Sequence, residues 1–69
     1  MFELDADKIR AIMLDKALTI REAAISAPIT ATTLSKILRG GAKVNTRTAG
    51  RLAAALGVEA REILKGDDL

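Results

Sequence analysis

Hydrophobic residues recur every three to four positions along most of the chain, which is the spacing of helices that bury one face. The first such run contains Ile9, Ile12 and Met13. Asp5 precedes the run as a candidate N-cap, and Leu4 and Ile9 have the spacing of a hydrophobic staple around that cap. The pattern predicts a first helix that begins after Asp5 and buries its isoleucine and methionine face.

A second helix is predicted between Thr19 and Ala27. Thr19 and Glu22 have the spacing of a capping box, which is a local signal for a helix start. Pro28 disfavours helical backbone at Ala27, and its ring cannot continue the hydrogen-bond ladder. The second helix is therefore expected to stop by Ser26 or Ala27.

A third helix is predicted from Thr30 to Arg39. Thr30 is a candidate N-cap, and Gly40 suits the left-handed position that commonly follows a helix. Only residues 27–29 separate this helix from the second one, and two helices joined by so short a turn cross at a steep angle. The spacing predicts a helix-turn-helix unit over about residues 19–39.

The rest of the chain is divided by the same signals. The predicted elements are a loop over Gly41 to Asn45, a fourth helix from Asn45 or Thr46 to Leu56, a fifth helix from about Glu59 to Lys65, and an acidic tail from Gly66 to Leu69. No run alternates hydrophobic and polar residues as a strand does. The sequence therefore predicts an all-α fold, a single compact domain of five helices over residues 1–69.

The composition excludes the commonest groups of several kinds of active site. The 69 residues include no cysteine and no histidine, which excludes disulfides, thiolate metal sites and imidazole acid–base catalysis. The main acidic residues have ordinary explanations as caps and surface charges; these are Asp5, Asp7, Glu22, Glu59 and Glu62. We expect no enzyme activity and no catalytic residue, cofactor, metal or small-molecule substrate. No apolar stretch approaches the ~20 residues of a membrane span, so a soluble, cytoplasmic protein without a membrane partner is expected.

Charge is distributed unevenly along the chain, although the net charge is only +2. Between residues 16 and 55, Glu22 is the only acidic residue. The basic residues of the same stretch are Lys16, Arg21, Lys36, Arg39, Lys43, Arg47 and Arg51. Such a basic block between acidic ends is typical of a protein that binds a polyanion, and it also occurs on ordinary solvated surfaces.

The predicted third helix has two different sides, since successive residues turn by about 100° around a helix. One side must face the core and consists of Leu34, Ile37 and Leu38. The opposite side has no acidic residue and consists of Thr32, Ser35, Lys36 and Arg39. Short hydroxyl side chains let a helix approach base edges, and lysine can donate to guanine. This side therefore suits binding in the major groove. The alternative is an ordinary solvent-exposed helix face, although such faces more commonly carry both acidic and basic residues.

The segment after this helix supplies a second set of polar residues, at the start of the fourth helix. It contains Lys43, Asn45, Thr46 and Arg47. These residue types beside a helix N-terminus commonly hold phosphate groups, although they are also common in polar surface loops.

Two groups of residues recur at the spacing of a known family. The first group is Leu18-Thr19, Ala24, Ile29-Thr30, Thr33-Leu34-Ser35, Ile37 and Gly40. The second group is Thr48, Leu52-Ala53, Ala55-Leu56-Gly57-Val58 and Ile63-Leu64. With these matches, the stretch from Leu18 to Leu64 resembles the Cro/CI-type helix-turn-helix domain, also called the XRE family.

The resemblance implies a five-helix, lambda-repressor-like fold that binds double-stranded DNA with the helix from Thr30 to Arg39 in the major groove. The base-contacting positions that it implies are Ala31, Thr32, Ser35 and Lys36. The backbone-contacting positions that it implies are Thr19, Thr30, Thr33, Arg39, Lys43, Asn45, Thr46 and Arg47. It also implies homodimers on palindromic operators whose half-sites lie about one helical turn apart.

Three positions depart from the family pattern. The family usually has a left-handed glycine where this chain has Pro28, and since proline cannot take a positive φ, we expect a differently built turn and a changed angle between the second and third helices. The family often has a phosphate-binding glutamine where this chain has Ile20, which has no side-chain donor. Ala31 also stands where many relatives have glutamine, so base readout is expected to rest on the other implied positions.

These observations predict a sequence-specific transcriptional regulator, a repressor that occupies its operator on bacterial or phage DNA. The alternative is a protein-binding module, such as an antitoxin or a regulatory partner protein. The apolar residues near the two ends leave both open, because they either form a partner or dimer surface or complete the core. These residues are Met1, Phe2, Leu4, Ile63 and Leu64. An exposed Phe2 favours an interface, and a buried Phe2 favours the core.

Overall fold

The computed structural model describes residues 1–65 of the chain. In chain order the elements are β1 (Phe2–Glu3), α1 (Ala6–Asp15), α2 (Ile20–Ser26), α3 (Ala31–Leu38), β2 (Lys43–Val44), α4 (Thr46–Leu56) and one turn of 3₁₀ helix (Ala60–Glu62). Within these residues, no helix is both long enough and apolar enough to cross a lipid bilayer. The predicted acidic tail, Gly66 to Leu69, lies outside the described residues.

Each α-helix within residues 1–65 begins with a side-chain cap, which was predicted for the first three and lies within the predicted start of the fourth. An oxygen of the cap side chain accepts a hydrogen bond from the backbone N–H three residues later. The caps are Asp5, Thr19, Thr30 and Asn45. At α2 the reciprocal bond of the capping box is also present, since the N–H of Thr19 donates to Glu22 Oε1 at 2.9 Å. The predicted helix starts are therefore confirmed.

Three of these helices end with the same backbone turn, in which a left-handed residue follows the last helical turn. This residue is Ala17 after α1, Pro28 after α2 and Gly57 after α4, with φ angles of 54°, 27° and 72°. The residue that follows donates its N–H to a carbonyl group five positions back, as Leu18 does to Met13 at 2.9 Å. The turn thus satisfies carbonyl groups that a helix end leaves unpaired.

The turn between α2 and α3 contradicts the expectation based on Pro28. The predicted change in turn geometry is wrong, because Pro28 itself is left-handed, with a φ of 27°. The N–H of Ile29 bonds to the carbonyl oxygen of Ala24 at 3.0 Å, and Ala27 is fully buried. These contacts hold position 28 in a backbone region that the proline ring disfavours, so the ring is strained. The short turn of the helix-turn-helix unit is therefore retained, with backbone strain at Pro28.

The hydrophobic core lies between the helices. Its largest fully buried side chains are Leu4, Ile9, Leu34, Ile37, Leu52, Leu56 and Ile63. All three residues of the predicted core side of α3 are buried, since Leu38 is also only 7% exposed. The predicted core side of α3 is confirmed, because the 3.6-residue period of a helix fixes which residues share a face.

The apolar residues near the two ends of the chain mostly complete this core. Leu4 and Ile63 are 2% and 0% exposed, whereas Phe2 and Leu64 are half-buried. Met1 is the exposed member of the group. The burial of the others favours the core over a partner surface at this end of the molecule.

The prediction of an all-α fold is wrong in one respect, because residues 43–44, expected in a loop, form a strand. β2 pairs with β1 in a short antiparallel sheet, with Phe2 opposite Val44 and Glu3 opposite Lys43. Strands of two residues are too short to show an alternating pattern, and their pairing joins distant parts of the chain. The described chain is therefore mostly helical with a small sheet.

The fifth helix, predicted from Glu59 to Lys65, is also wrong, since residues 1–65 contain four α-helices and a 3₁₀ turn in its place. Helical backbone ends at this turn because the residues after it bond to the N-terminal segment. The N–H of Asp5 donates to the carbonyl oxygen of Ile63 at 2.8 Å, and Leu64 forms an isolated β-bridge with Leu4. The N–H of Lys65, which a continuing helix would bond within itself, donates instead to the carbonyl oxygen of Glu3 at 3.0 Å.

Candidate nucleic-acid interface

The solvent-facing side of α3 carries the residues predicted to contact bases. Ala31, Thr32 and Lys36 are exposed, and Ser35 is half-buried. The opposite side anchors the helix in the core, so the exposed side has a fixed orientation. Exposure of short side chains is what a close approach to base edges requires. The assignment of these residues to base contacts stays a prediction.

The first turn of α3 is fixed by two threonines that were predicted to contact the DNA backbone. The Thr30 hydroxyl accepts a hydrogen bond from the N–H of Thr33 at 3.0 Å and donates to the Thr33 hydroxyl at 2.8 Å. Thr33 therefore accepts with its oxygen and keeps its own hydroxyl hydrogen available for a further acceptor. A phosphate oxygen is an acceptor of this kind.

A second exposed group lies on β2 and at the N-terminus of α4. Lys43, Asn45, Thr46 and Arg47 are all exposed. Asn45 Oδ1 caps the helix by accepting from the N–H of Thr48 at 2.8 Å, which leaves the amide NH₂ group of Asn45 able to donate. The helix N-terminus adds a partial positive charge at the same place. This group can therefore bind an anion through several donors.

The N-terminus of α2 offers less to an anion. Thr19 is exposed, but its N–H and hydroxyl oxygen are both used in the capping box with Glu22, at 2.9 and 3.1 Å. The hydrogen bonds from Thr19 hold the pKa of Glu22 below its ordinary value of 4.5, so Glu22 is ionised at neutral pH. A negative charge beside Thr19 opposes phosphate binding, and Ile20 adds no donor.

The cations near the exposed side of α3 have no acidic neighbours in sequence. Between residues 30 and 47 the chain has no acidic residue. The cations of this segment are Lys36, Arg39, Lys43 and Arg47, all of them exposed. Because no acidic residue of the same segment offsets these charges, the segment presents a positive surface from α3 to the start of α4. Lys43 lies opposite an acidic residue of another segment, Glu3 of β1.

Arg10 is a residue of the site that the sequence analysis missed. Its guanidinium donates to the carbonyl oxygen of Leu38, the last residue of α3, and also lies 3.6 Å from Asp7 Oδ1. This bond ties α1 to the end of the helix predicted to read DNA. Nothing in the sequence distinguishes an arginine that makes such a contact from one whose side chain is only solvated, so this contact could not be predicted.

Comparison with known proteins gives one match to a family and one to a solved structure. The sequence model of the helix-turn-helix family HTH_3 matches residues 9–63. The fold is similar to part of Streptomyces albus HEPD, solved with its substrate 2-hydroxyethylphosphonate and Fe(II) bound. The TM-score is 0.77 at 24% sequence identity.

The similarity to the solved structure concerns the fold alone, because the sequence identity is low. It covers 90% of this chain but only 14% of the other chain. The substrate and the iron are those of that protein. Within residues 1–65 of this chain, no three side chains of the metal-binding types are grouped to hold a metal ion. No curated protein matches the chain.

Proposed function

Because the chain belongs to the Cro/CI-type (XRE) helix-turn-helix family, we propose that it is a sequence-specific regulator of transcription that acts as a repressor. The observation that carries the proposal is the exposed side of α3, which is short or basic, free of acidic residues and anchored from behind by buried leucine and isoleucine. Such a side can enter the major groove of DNA without charge repulsion.

The proposed contacts divide into base readout and backbone binding. Base readout comes from Ala31, Thr32, Ser35 and Lys36, of which Lys36 has the strongest preference because a lysine donates to guanine O6 and N7. Backbone binding comes from Thr30, Thr33, Arg39, Lys43, Asn45, Thr46 and Arg47, whose donors and charges suit phosphate oxygens. Thr19 contributes least, because its N–H is used in the capping box and the charge of Glu22 lies beside it. The two groups together fix the position of the domain on its site.

We also propose that the protein binds a palindromic operator as a homodimer. A groove of about 380 Å³ supports this, since it is lined by the apolar side chains of Ala11, Ile12 and Val58 and by the opposite charges of Lys8 and Glu62. Lys8 and Glu62 give this surface charges of both signs, so it can pair with a second copy of itself. Such a self-complementary surface is what a two-fold dimer needs.

Repression by occupancy is the simplest mechanism for a domain of this kind. A dimer seated on an operator that overlaps a promoter excludes polymerase without any chemical step. The proposal therefore includes no enzyme activity, and it locates the protein with the DNA in the cytoplasm.

A second candidate function is binding of a partner protein, as in an antitoxin. Two exposed apolar side chains favour it: Leu14 on α1 is 81% exposed and Ile25 on α2 is 69% exposed. Large apolar side chains on a surface can mark an interaction site, although single exposed ones are common. The DNA-binding proposal rests on more residues and is the one we test first.

The test is a selection of binding sites from random duplex DNA with the purified protein at about physiological salt. An enriched palindrome supports specific readout by a dimer, and its half-site spacing gives the geometry. An enriched single half-site supports specific DNA binding but contradicts the proposed dimer. Weak, salt-sensitive retention without an enriched sequence contradicts specific readout and favours the partner-protein function.

A further inference from the structure

The small sheet joins the N-terminal segment to the proposed DNA-backbone contacts. β2 lies between the end of α3 and the Asn45 cap of α4, and its sheet partner is β1. β2 also follows Gly40 and Gly41, which have φ angles of 94° and 76° and have open space where side chains would be. β2 is held by its pairing with β1 and by the buried side chain of Val44.

The two residue pairs of the sheet face opposite ways. Val44 is 7% exposed and Phe2 is half-buried, so this pair faces the core. Side chains alternate along a strand, so the pair of Glu3 and Lys43 faces outward. A residue of the N-terminal strand therefore shares a surface with a proposed phosphate contact.

The hydrogen-bond pattern brings the outward pair close together. The N–H of Leu4 donates to the carbonyl oxygen of Ala42 at 3.3 Å. Leu4 is the residue after Glu3, and Ala42 is the residue before Lys43. Glu3 and Lys43 are thus a pair that exchanges no backbone hydrogen bonds, the kind in which opposite side chains lie closest in an antiparallel sheet. Opposite charges at such a pair attract each other.

Lys65 holds Glu3 in this position from the other side. Its N–H donates to the carbonyl oxygen of Glu3 at 3.0 Å, and its Nζ lies 3.5 Å from Glu3 Oε2. The Glu3 side chain is 29% exposed, so its charge is only partly screened by water. The Glu3 carboxylate is therefore held by Lys65, and Glu3 itself lies directly opposite Lys43, the cation that the proposed function assigns to phosphate.

We propose that Glu3 weakens the DNA-backbone contact of Lys43 by competing with phosphate for the lysine charge across the sheet. The inference rests on the proposed DNA-binding function and concerns one residue that tunes it. A phosphate that approaches Lys43 also meets the charge of Glu3, and the lysine must divide its attraction between the two anions. The effect is independent of sequence, because phosphate contacts carry no base information.

The experiment compares the protein with its Glu3→Gln variant on the selected site and on a random duplex of equal length. Glutamine keeps the size of the side chain and the backbone pairing. We expect the variant to bind both duplexes about two- to fivefold more tightly at low salt. The dependence on salt should steepen by about one counterion, because Lys43 is then free to neutralise a phosphate.

Two controls separate this effect from net charge and from stability. Asp15→Asn removes one negative charge at the exposed end of α1, outside the sheet, and should change the affinity less than Glu3→Gln does. Thermal unfolding of each variant shows whether loss of the Lys65 ion pair has altered the fold. An equal gain in affinity for both variants overturns the proposal, because net charge alone then explains it.

A double-mutant cycle with Lys43→Gln tests whether Glu3 acts through Lys43. The gain from Glu3→Gln should largely disappear in the Lys43→Gln background. A gain that persists in full overturns the proposal, as does unchanged or weaker binding by Glu3→Gln alone. If the wild-type protein retains neither duplex, the DNA-binding function itself fails, and the inference fails with it.

Discussion

At the scale of single residues, the proposed interface contains two kinds of cation. Lys36 lies in the middle of the exposed side of α3, where a helix seated in the major groove approaches base edges. Arg47 lies in the first turn of α4, beside donors that suit phosphate oxygens. The sequence identified both as cations, and the structure shows that both are exposed.

The first prediction separates these two roles. Lys36→Ala should weaken binding to the selected site by about 1–3 kcal/mol and relax the preference at one base pair, because a base contact is lost. Arg47→Ala, the matched control, should weaken binding evenly across sequences and reduce the salt dependence. Binding titrations on the selected site and its single-base variants measure both effects. Undiminished binding by Lys36→Ala would show that the readout side of α3 is misplaced.

The second prediction concerns the strained left-handed residue Pro28. Pro28→Gly should raise the free energy of unfolding by about 1 kcal/mol, because relief of strain exceeds the extra entropy of glycine in the unfolded chain. Glycine also restores a backbone N–H at the end of α2. Urea unfolding followed by circular dichroism measures the change.

Ala17→Gly is the comparison for this substitution, since Ala17 is left-handed at the end of α1 and already has an N–H. Ala17→Gly should raise the free energy of unfolding by a similar or smaller amount, about 0.5–1 kcal/mol. A loss of stability in Pro28→Gly would mean that the rigidity of the proline outweighs its strain.

At the scale of elements, the helix starts were predictable and the contacts between elements were not. A cap or capping box depends on residues three positions apart, so the local amino-acid sequence is enough to predict it. The bond from Arg10 to Leu38 joins residues 28 positions apart on different helices. Nothing in either local sequence indicates that these two residues meet.

The third prediction concerns the capping box of α2. The folded-state pKa of Glu22 is lowered by hydrogen bonds from Thr19, so the ionised form stabilises the native state above the unfolded pKa. This contribution is lost as the pH falls through the folded pKa. Wild type should therefore be more stable than Glu22→Gln at neutral pH, and the difference should shrink on acidification. Urea unfolding at a series of pH values measures it; a constant difference contradicts the role of the charge.

The fourth prediction concerns the tie between α1 and α3. Arg10→Ala should lower the free energy of unfolding by about 1–2 kcal/mol, because the carbonyl group of Leu38 loses a charged donor. Arg61→Ala is the control, since Arg61 pairs with Glu59 on the exposed surface and should cost about 0–1 kcal/mol. Equal effects in the two variants would mean that the bond to Leu38 adds no stability.

At the scale of the whole molecule, the N-terminal segment and the segment after α4 close the core together. Asp5 bonds to Ile63 and Leu4 bridges to Leu64, while β1 pairs with β2. A chain this short has few large core side chains, so each contact of this kind is a sizeable part of its stability. The resemblance to the family predicted the helix-turn-helix unit but not this closure.

The fifth prediction tests the closure. Ile63→Ala should lower the free energy of unfolding by about 2–5 kcal/mol, because Ile63 is fully buried and its loss leaves a cavity. Leu14→Ala, at a position 81% exposed, should change it by less than about 0.5 kcal/mol. Thermal unfolding of the two variants checks the contrast. Similar melting temperatures for both would show that the segment after α4 is not part of the cooperative core.

The sequence by itself determined the helix starts, the core side of α3 and the family, because each depends on residue types at short, regular spacing. Only the tertiary structure decided the β1–β2 pair, the 3₁₀ turn in place of a fifth helix, the left-handed Pro28 and the bond from Arg10 to α3. The first, second and last of these depend on partners far away in the chain. At Pro28, packing of its neighbours overrides the local preference of the ring. Local sequence patterns carry no information about residues that meet only in the folded chain, so these contacts could not be predicted from the sequence.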